Sequence, residues 1–224
     1  LSVSSLVISL CIGLIFGTIA AWKRGQWQDS LLLNLSTISV ALPAFFIALM
    51  LSFYFGFELE LFPAYTNPNM VSQFNWSWEA IKVVFYNAAL PIISMSIGGI
   101  IGYSQRTRNS VIAVTNEDFV MTARAKGLSQ KKVLFKHTLR NAMLPIVTAV
   151  GMSLSGLIGG AVIIEQIFNW NGMGTLFLEA NNTNDYPLMM GIMLLMSTIA
   201  IVANLVVELT YSMLDPRVTV GEKR

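Results

Sequence analysis

The sequence predicts an all-α, multi-pass membrane protein, and three observations carry that reading. Of its 224 residues 54% are hydrophobic and only 12% charged, with a mean hydropathy of +0.64. Soluble domains carry about 25% charged residues, so too few are present to cover a water-soluble globule. Five uncharged stretches each reach the roughly 20 residues that a hydrocarbon core about 30 Å thick demands of a helix. None alternates with period two, which disfavours a transmembrane barrel and leaves helices as the backbone-satisfied way across lipid. The same composition excludes a disordered chain, and a net charge of +2 excludes a free-standing nucleic-acid binder. Cys11 has no second cysteine to pair with, so this is no disulfide scaffold.

The elements follow in chain order. The first span runs from Leu1 to Trp22 and holds Gly13 and Gly17 four residues apart. The second runs from Leu31 to Phe57, with Pro43 inside it as an expected kink. The third, Val83 to Gln105, carries Gly98 and Gly102. The fourth, Asn141 to Ile164, has Pro145 near its start, where a missing N–H costs nothing. The fifth begins at Tyr186, with Pro187 beside it, stays uncharged to Val207 and continues as helix to residue 213. Small residues at i, i+4 let helices approach closely in lipid. The denser run GMSLSGLIGG (Gly151 to Gly160, including Gly156) reads either as a tight helix contact or as a small-residue wall of a pathway. Glu165 and Glu208 fall about 30 Å from the opposite face of their spans, at interfaces and not at the midplane.

Thirteen of the 14 basic residues lie in the first connection (Lys23, Arg24), the long connection after the third span, and the tail (Arg217, Lys223, Arg224). These three segments share one side, which the positive-inside rule makes cytoplasmic. Only Lys82 falls opposite, near a helix end where it can snorkel. Residue 1 then emerges outside. No basic region precedes the first apolar run and Lys23 and Arg24 follow it, the wrong polarity for a cleaved signal peptide. With no initiator Met either, the sequence is expected to lack an N-terminal part of the natural protein. Outside, Phe62, Tyr65, Phe74, Trp76 and Trp78, with Glu58, Glu60 and Glu79, form either an interfacial aromatic belt or a docking surface for an external binding protein.

The long cytoplasmic loop, residues 106–143, carries the most information. From Ser104 to Arg140 it holds eight basic residues (Arg106, Arg108, Arg124, Lys126, Lys131, Lys132, Lys136 and Arg140) and only two acidic ones. Thr115 reads as an N-cap with Asp118 three positions on, acids suiting the positive end of a helix. That helix continues as FVMTARAK and stops at Gly127, the expected left-handed residue. Ser129 then caps a second helix running into the fourth span. Lys132, Lys136 and Arg140 make a basic stripe on it, and Leu128, Val133, Phe135, Leu139 and Ala142 supply apolar surface. Two readings stay open on residues alone: a basic face attracted to anionic lipid, or a docking unit for a cytoplasmic partner.

Enzyme chemistry is missing from the pattern. No G-x-x-x-x-G-K-[ST], H-E-x-x-H or G-x-S-x-G occurs, and His137 and Cys11 alone make no ordinary zinc site. A secondary transporter predicts inverted repeats and buried midplane charges, and neither is visible. An intramembrane enzyme lacks a nucleophile–base pair, and a scaffolding subunit is the rival least excluded.

The segment DFVMTARAKGLSQKKVLFKHTLRNAMLP, from Asp118 to Pro145, resembles the EAA-type cytoplasmic loop of ABC importer permeases, above all the oligopeptide, dipeptide and nickel branch. GGAVIIEQIFNWNGMGTL (Gly159 to Leu176), DYPLMMG (Asp185 to Gly191) and NLVVELTYSMLDPR (Asn204 to Arg217) resemble the B-type subunit of that branch. Met121 and Thr122 stand where the general motif has Glu and Ala, His137 replaces Ile and Arg140 replaces Pro, while Ala123 and Gly127 match. The resemblance implies the type I ABC importer transmembrane fold, with five of the family's helices present and the first lacking. It implies ATPase coupling through Asp118, Thr122, Ala123, Arg124, Ala125, Lys126, Gly127, Leu128 and Lys132. It places Glu165, Trp170, Gly172 and Gly174 at an outer gate that caps the pathway. The implied function is a peptide permease in a prokaryotic cytoplasmic membrane, with nickel complexes or other small solutes as the alternative. The implied partners are a C-type permease, two ATPase subunits that hold ATP and Mg, an extracytoplasmic binding protein and membrane lipid. No cofactor is expected on this chain, and no nucleic acid.

Overall fold

The computed structural model describes residues 1–67, 76–156 and 161–214, and among these every regular element is helical. Helix α1 (Ser2–Trp22) is 21 residues long, about 31 Å, enough to cross a bilayer core. Its buried face is a four-residue repeat of small side chains, Ser5, Ser9, Gly13 and Gly17, laid against α4 (Trp78–Thr115). A Cβ added at Gly13 would lie 2.6 Å from the Tyr103 Cβ, and one at Gly17 would lie 2.3 Å from the Ser104 carbonyl oxygen. Backbone approach this close admits only glycine. Polar side chains stitch the same seam: the Ser9 hydroxyl donates to the Ser96 carbonyl at 3.1 Å. The predicted pair Gly13 and Gly17 therefore does mark a tight contact. Gly98 and Gly102 do not, since nothing lies within 4 Å of either position. Gly156 and Gly160 make a further pair at this spacing, and Gly160 lies outside the described residues.

The predicted second span is two helices, α2 (Trp27–Ala41) and α3 (Ala44–Leu51), the latter continuing as π-helix through Ser52–Glu58. They meet at 98°, a break and not a kink. Pro43 explains it: the residue before proline is pushed to extended backbone, here Leu42 at φ −97° and ψ 115°. Pro43 itself becomes the N-cap of α3.

Helix α4 is 38 residues long, about 57 Å, well beyond a bilayer core. It contains the predicted span 83–105 and carries on to Thr115, so the start of the predicted loop is a helical extension. Helix α5 (Asp118–Ala125) follows, then α6 (Gln130–Lys132), a π-helical segment Val133–Thr138, and α7 (Leu139–Gly156). Pro145 is consequently the seventh residue of α7, in the helix interior and not at its first turn. Within the predicted fourth span α7 is described to Gly156 and α8 (Val162–Ile167) from Val162, and 157–160 lie outside the described residues. Helix α9 (Met173–Asn182) leads to α10 (Tyr186–Leu214), where the Asp185 carboxylate caps the Leu188 N–H at 3.0 Å.

Helices α1, α4 and α10 are each long and apolar enough to cross a membrane, and the bent α2–α3 pair makes a fourth if it is one broken span. Large apolar side chains such as Val7, Phe16, Phe46, Leu194 and Ile201 stay exposed around them, as lipid-facing surface does. Cys11 is exposed on α1.

Candidate functional site

Two assemblies sit toward opposite ends of α4. At its C-terminal end the chain turns at Asn116 and enters α5 with Glu117 as N-cap. Thr115 does not cap α5. It is the last residue of α4, and its hydroxyl donates back to the Val111 carbonyl at 2.6 Å. Val111 and Val114 continue the apolar face of α4 into two packed clusters, which holds the helix together past the expected start of α5. Asp118 keeps the expected place in the first turn, favourable to the helix dipole.

Gly127 stops α5 as predicted, at φ +74°. Its N–H donates to the Arg124 carbonyl at 2.9 Å, and the Leu128 N–H reaches back to the Ala123 carbonyl at 3.4 Å. These are the paired bonds of a Schellman stop. Leu128 then packs with Val120, Ala123 and Val133, the last three buried, so the two short helices close on each other. Ser129 is the N-cap of α6 in position, though its side chain makes no capping bond.

This packing sorts the predicted coupling residues. Ala123 is buried inside the loop, where it lets α5 and the Val133 turn touch, and Leu128 is half-buried beside it. Asp118, Thr122, Arg124, Ala125, Lys126 and Gly127 are exposed on α5 and its stop, and Lys132 is exposed on α6. Phe119 and Met121, 44% and 53% exposed, flank the buried Val120 on opposite sides of α5. Sequence reading passed over both as contact residues, although apolar side chains in a short exposed helix were the available signal. Val111, Leu134 and Ala142 bury together behind the loop, and the Ser110 hydroxyl donates to the Ala142 carbonyl at 2.8 Å. The loop is thus a packed unit clamped to α4. Lys136 and Arg140 are exposed, His137 is half-buried, and no group of metal-binding side chains occurs among the described residues.

An ion pair that the sequence reading missed braces the same end. Arg108, on the α4 extension, grips the Asp29 carboxylate with two guanidinium nitrogens: Nε to Oδ1, and a terminal nitrogen to Oδ2 at 2.9 Å. The Gly25 N–H adds a third donor to Oδ2 at 2.9 Å. Asp29 is 3% exposed. The turn between α1 and α2 is thereby pinned to α4.

Toward the other end, the predicted gate residues Glu165, Trp170, Gly172 and Gly174 do come together. Gly172 is the N-cap of α9 and has no side chain to accept from the helix. Glu165 supplies the acceptor from α8: its Oε2 takes the Thr175 N–H at 2.9 Å. Thr175 returns the favour by accepting the Gly172 N–H at 2.9 Å. A capping box is thus completed across two helices. A Cβ at Gly172 would fall 2.1 Å from Glu165 Oε1, and one at Gly174 would fall 2.9 Å from Oε2, so both glycines make room for the carboxylate. The half-buried Trp170 donates its N–H to the Glu165 carbonyl at 2.7 Å, closing α8 over Asn169 at φ +52°. Glu165, 7% exposed, is an interhelical cap.

This clip is anchored. Phe168 and Ile164 bury with Ala48 of α3 and Leu90 of α4. The Thr66 N–H and hydroxyl both donate to the Phe168 carbonyl, at 2.8 and 2.7 Å. Phe62 packs against the same cluster and Tyr65, Trp76 and Trp78 are exposed, while Phe74 lies outside the described residues. The side chain of Glu208 also lies outside them.

Residues 13–220 match the family described as binding-protein-dependent transport system inner membrane component. The chain is 34% identical to a dipeptide transport system permease protein of Alkalihalophilus pseudofirmus, across 97% of this chain and 69% of that protein. It is 36% identical to the dipeptide transport system permease protein of Bacillus subtilis, across 100% and 68%. Its fold resembles inward-facing structures of the MetNI methionine ABC transporter, with a TM-score of 0.66 over 96% of this chain and 91% of that one, at 14% identity.

Proposed function

This chain belongs to the binding-protein-dependent transport system inner membrane components, and from that premise we propose that it is a peptide-importing permease subunit. The observation that carries the reading is the loop unit: two short helices folded on each other, clamped to α4, with an exposed outer face. The similarity to dipeptide permeases at 34% and 36% identity supports peptides as the solute class.

In this reading the loop end faces the cytoplasm, in keeping with 13 of 14 basic residues on that side. Helix α7 serves as a further crossing, giving five in all with α1, the α2–α3 pair, α4 and α10. A C-type permease completes the pathway, two ATPase subunits hold ATP and Mg, and an extracytoplasmic binding protein delivers the peptide. Phe119 and Met121 supply exposed docking contacts on the two flanks of α5, and Ala123 and Gly127 set its angle. When the ATPases close, the loop passes the movement to α4 and α7 as a rigid body, which is two-state alternating access. At the outer end the Glu165 clip fixes the entry angle of α9 without contacting solute. Peptides differ in their side chains, so a pathway with few fixed polar contacts suits them.

Co-purification of the full-length protein tests this. It should bring down a second permease and ATPase subunits, and Met121→Arg should lose the ATPases while keeping the second permease. Peptide uptake by the purified chain alone, in vesicles without ATP, would overturn it.

A further inference from the structure

We propose that the loop end of the chain carries a binding site for an anionic phospholipid, wedged between the end of α1 and the coupling helices. Two adjoining cavities form it. The larger, about 490 Å³, lies between the end of α1, the end of α4 and the loop, and Arg24, Arg124, Gln130 and Asn116 line it. The smaller, about 200 Å³, is walled by Thr18, Ile19, Lys23 and Phe135. Trp22 and Leu134 line both, so the two spaces are neighbours.

The chemistry along this cleft changes in the order that a lipid changes. Its narrow part runs beside Thr18 and Ile19 at the end of an apolar span, where hydrocarbon gives way to headgroups. Ile19, Trp22 and Phe135 are 41%, 42% and 60% exposed, an apolar surface open to an acyl chain. Its wide part sets two guanidinium groups and several polar groups among apolar side chains, and Lys23 lines the narrow part. No carboxylate lines either cavity; Asp29 is held by Arg108 and shares only a longer-range attraction with Arg24. Two arginines in one chamber of mixed lining, with Lys23 in the apolar slot beside it, call for an anion, and the neighbouring slot makes that anion the head of a lipid. Juxtamembrane arginines and lysines each strengthen attraction to an anionic leaflet about fivefold. A soluble phosphate would leave the slot empty. The inference rests on the membrane placement of the family and holds whichever solute is carried.

Trp22 is a built-in probe, because it lines both cavities. The full-length protein is reconstituted with phosphatidylcholine and titrated with brominated phosphatidylglycerol or brominated phosphatidylcholine. Subtracting the quenching seen in Trp22→Phe isolates the Trp22 signal. Brominated phosphatidylglycerol should quench it at several-fold lower mole fraction than brominated phosphatidylcholine. Arg24→Gln and Arg124→Gln should each erase about fivefold of that preference. Equal quenching by the two lipids in the wild-type protein overturns the proposal without needing any variant to fold. So does relief of quenching by free glycerol phosphate, which would mark a soluble-anion site, or a preference unchanged in Arg24→Gln/Arg124→Gln. Binding is read without transport, so this outcome is independent of the peptide reading.

Discussion

Replacing Asp29 with Asn keeps the shape of the side chain and removes its charge. The consequence can be worked from the geometry. Asp29 is 3% exposed and the Arg108 side chain 14%, so both charges sit largely out of water. Two guanidinium nitrogens and the Gly25 N–H converge on the carboxylate. The variant leaves the guanidinium desolvated without its counter-ion, and breaking a buried pair by removing one partner costs about 3–5 kcal/mol. For chains of about 150–250 residues, each kcal/mol moves Tm by about 2–4 °C, so Asp29→Asn should melt about 6–20 °C lower. Arg108→Met should do the same from the other side. The double variant Asp29→Asn/Arg108→Met removes both charges, so its cost should fall short of the sum of the two by about 2 kcal/mol. Thermal melts of the purified protein in one detergent, followed by intrinsic fluorescence, measure all three. A drop under about 2 °C for Asp29→Asn, or strict additivity in the cycle, would show the pair to be an exposed contact of small worth and refute the brace.

The other expectations are narrower. Gly127 has φ +74° and nothing within 4 Å, so only backbone strain opposes a side chain there. Gly127→Ala should cost about 1–2 kcal/mol of loop stability and Gly127→Asn less, read as ATPase co-purification and ATP-driven uptake; equal loss with both would point to a steric role instead. Glu165→Ala leaves the Thr175 N–H without its acceptor at about 1–3 kcal/mol, so hydrogen exchange in the first turn of α9 should quicken, while Glu165→Gln should retain most protection. Gly17→Leu must push α1 off α4, because even a Cβ there meets the Ser104 carbonyl oxygen at 2.3 Å, and the yield of folded protein should collapse. Gly98→Ala meets open space and should leave the melting temperature of the isolated chain unchanged or slightly raised.

Local rules made the loop readable in advance. A glycine after a basic last turn announces a helix stop, and Gly127 is one; an acid in the first turn announces a start, and Asp118 sits there. Charge distribution and length likewise marked α1, α4 and α10 as apolar helices. Long-range partnership was not readable. Thr115 looks like a cap by spacing, and the packing of buried Val111 and half-buried Val114 against the loop and α7 keeps it in α4. Asp29 and Arg108 are 79 positions apart, with no periodicity to join them. Glu165 was placed at an interface by arithmetic, yet its partner is a backbone N–H ten residues on, which no pattern of charges reveals. Gly98 and Gly102 repeat the spacing of Gly13 and Gly17 with a different environment, because spacing fixes the face of a helix and not what faces it.

The break at Leu42–Pro43 gains meaning from what lies on either side of it. Helix α2 is held through Asp29 to the loop end of α4, while α3 is held through Ala48 to the clip of Leu90, Ile164 and Phe168. Leu90 and Thr115 are 25 residues apart on α4, about 38 Å, so one continuous helix spans both anchorages, with Pro91 inside it beside the first. The chain from α2 to α3 spans them too, but through a joint where proline donates no backbone hydrogen bond and the preceding residue is extended. A movement imposed at the loop can therefore change the angle between α2 and α3 without breaking a helical hydrogen bond, whereas bending α4 anywhere between Pro91 and Thr115 would have to break helical bonds. The rigid strut and the jointed arm connect the same two ends. On the reading proposed above, in which the loop drives the cycle, that pairing gives transmission to α4 and accommodation to the turn at Pro43.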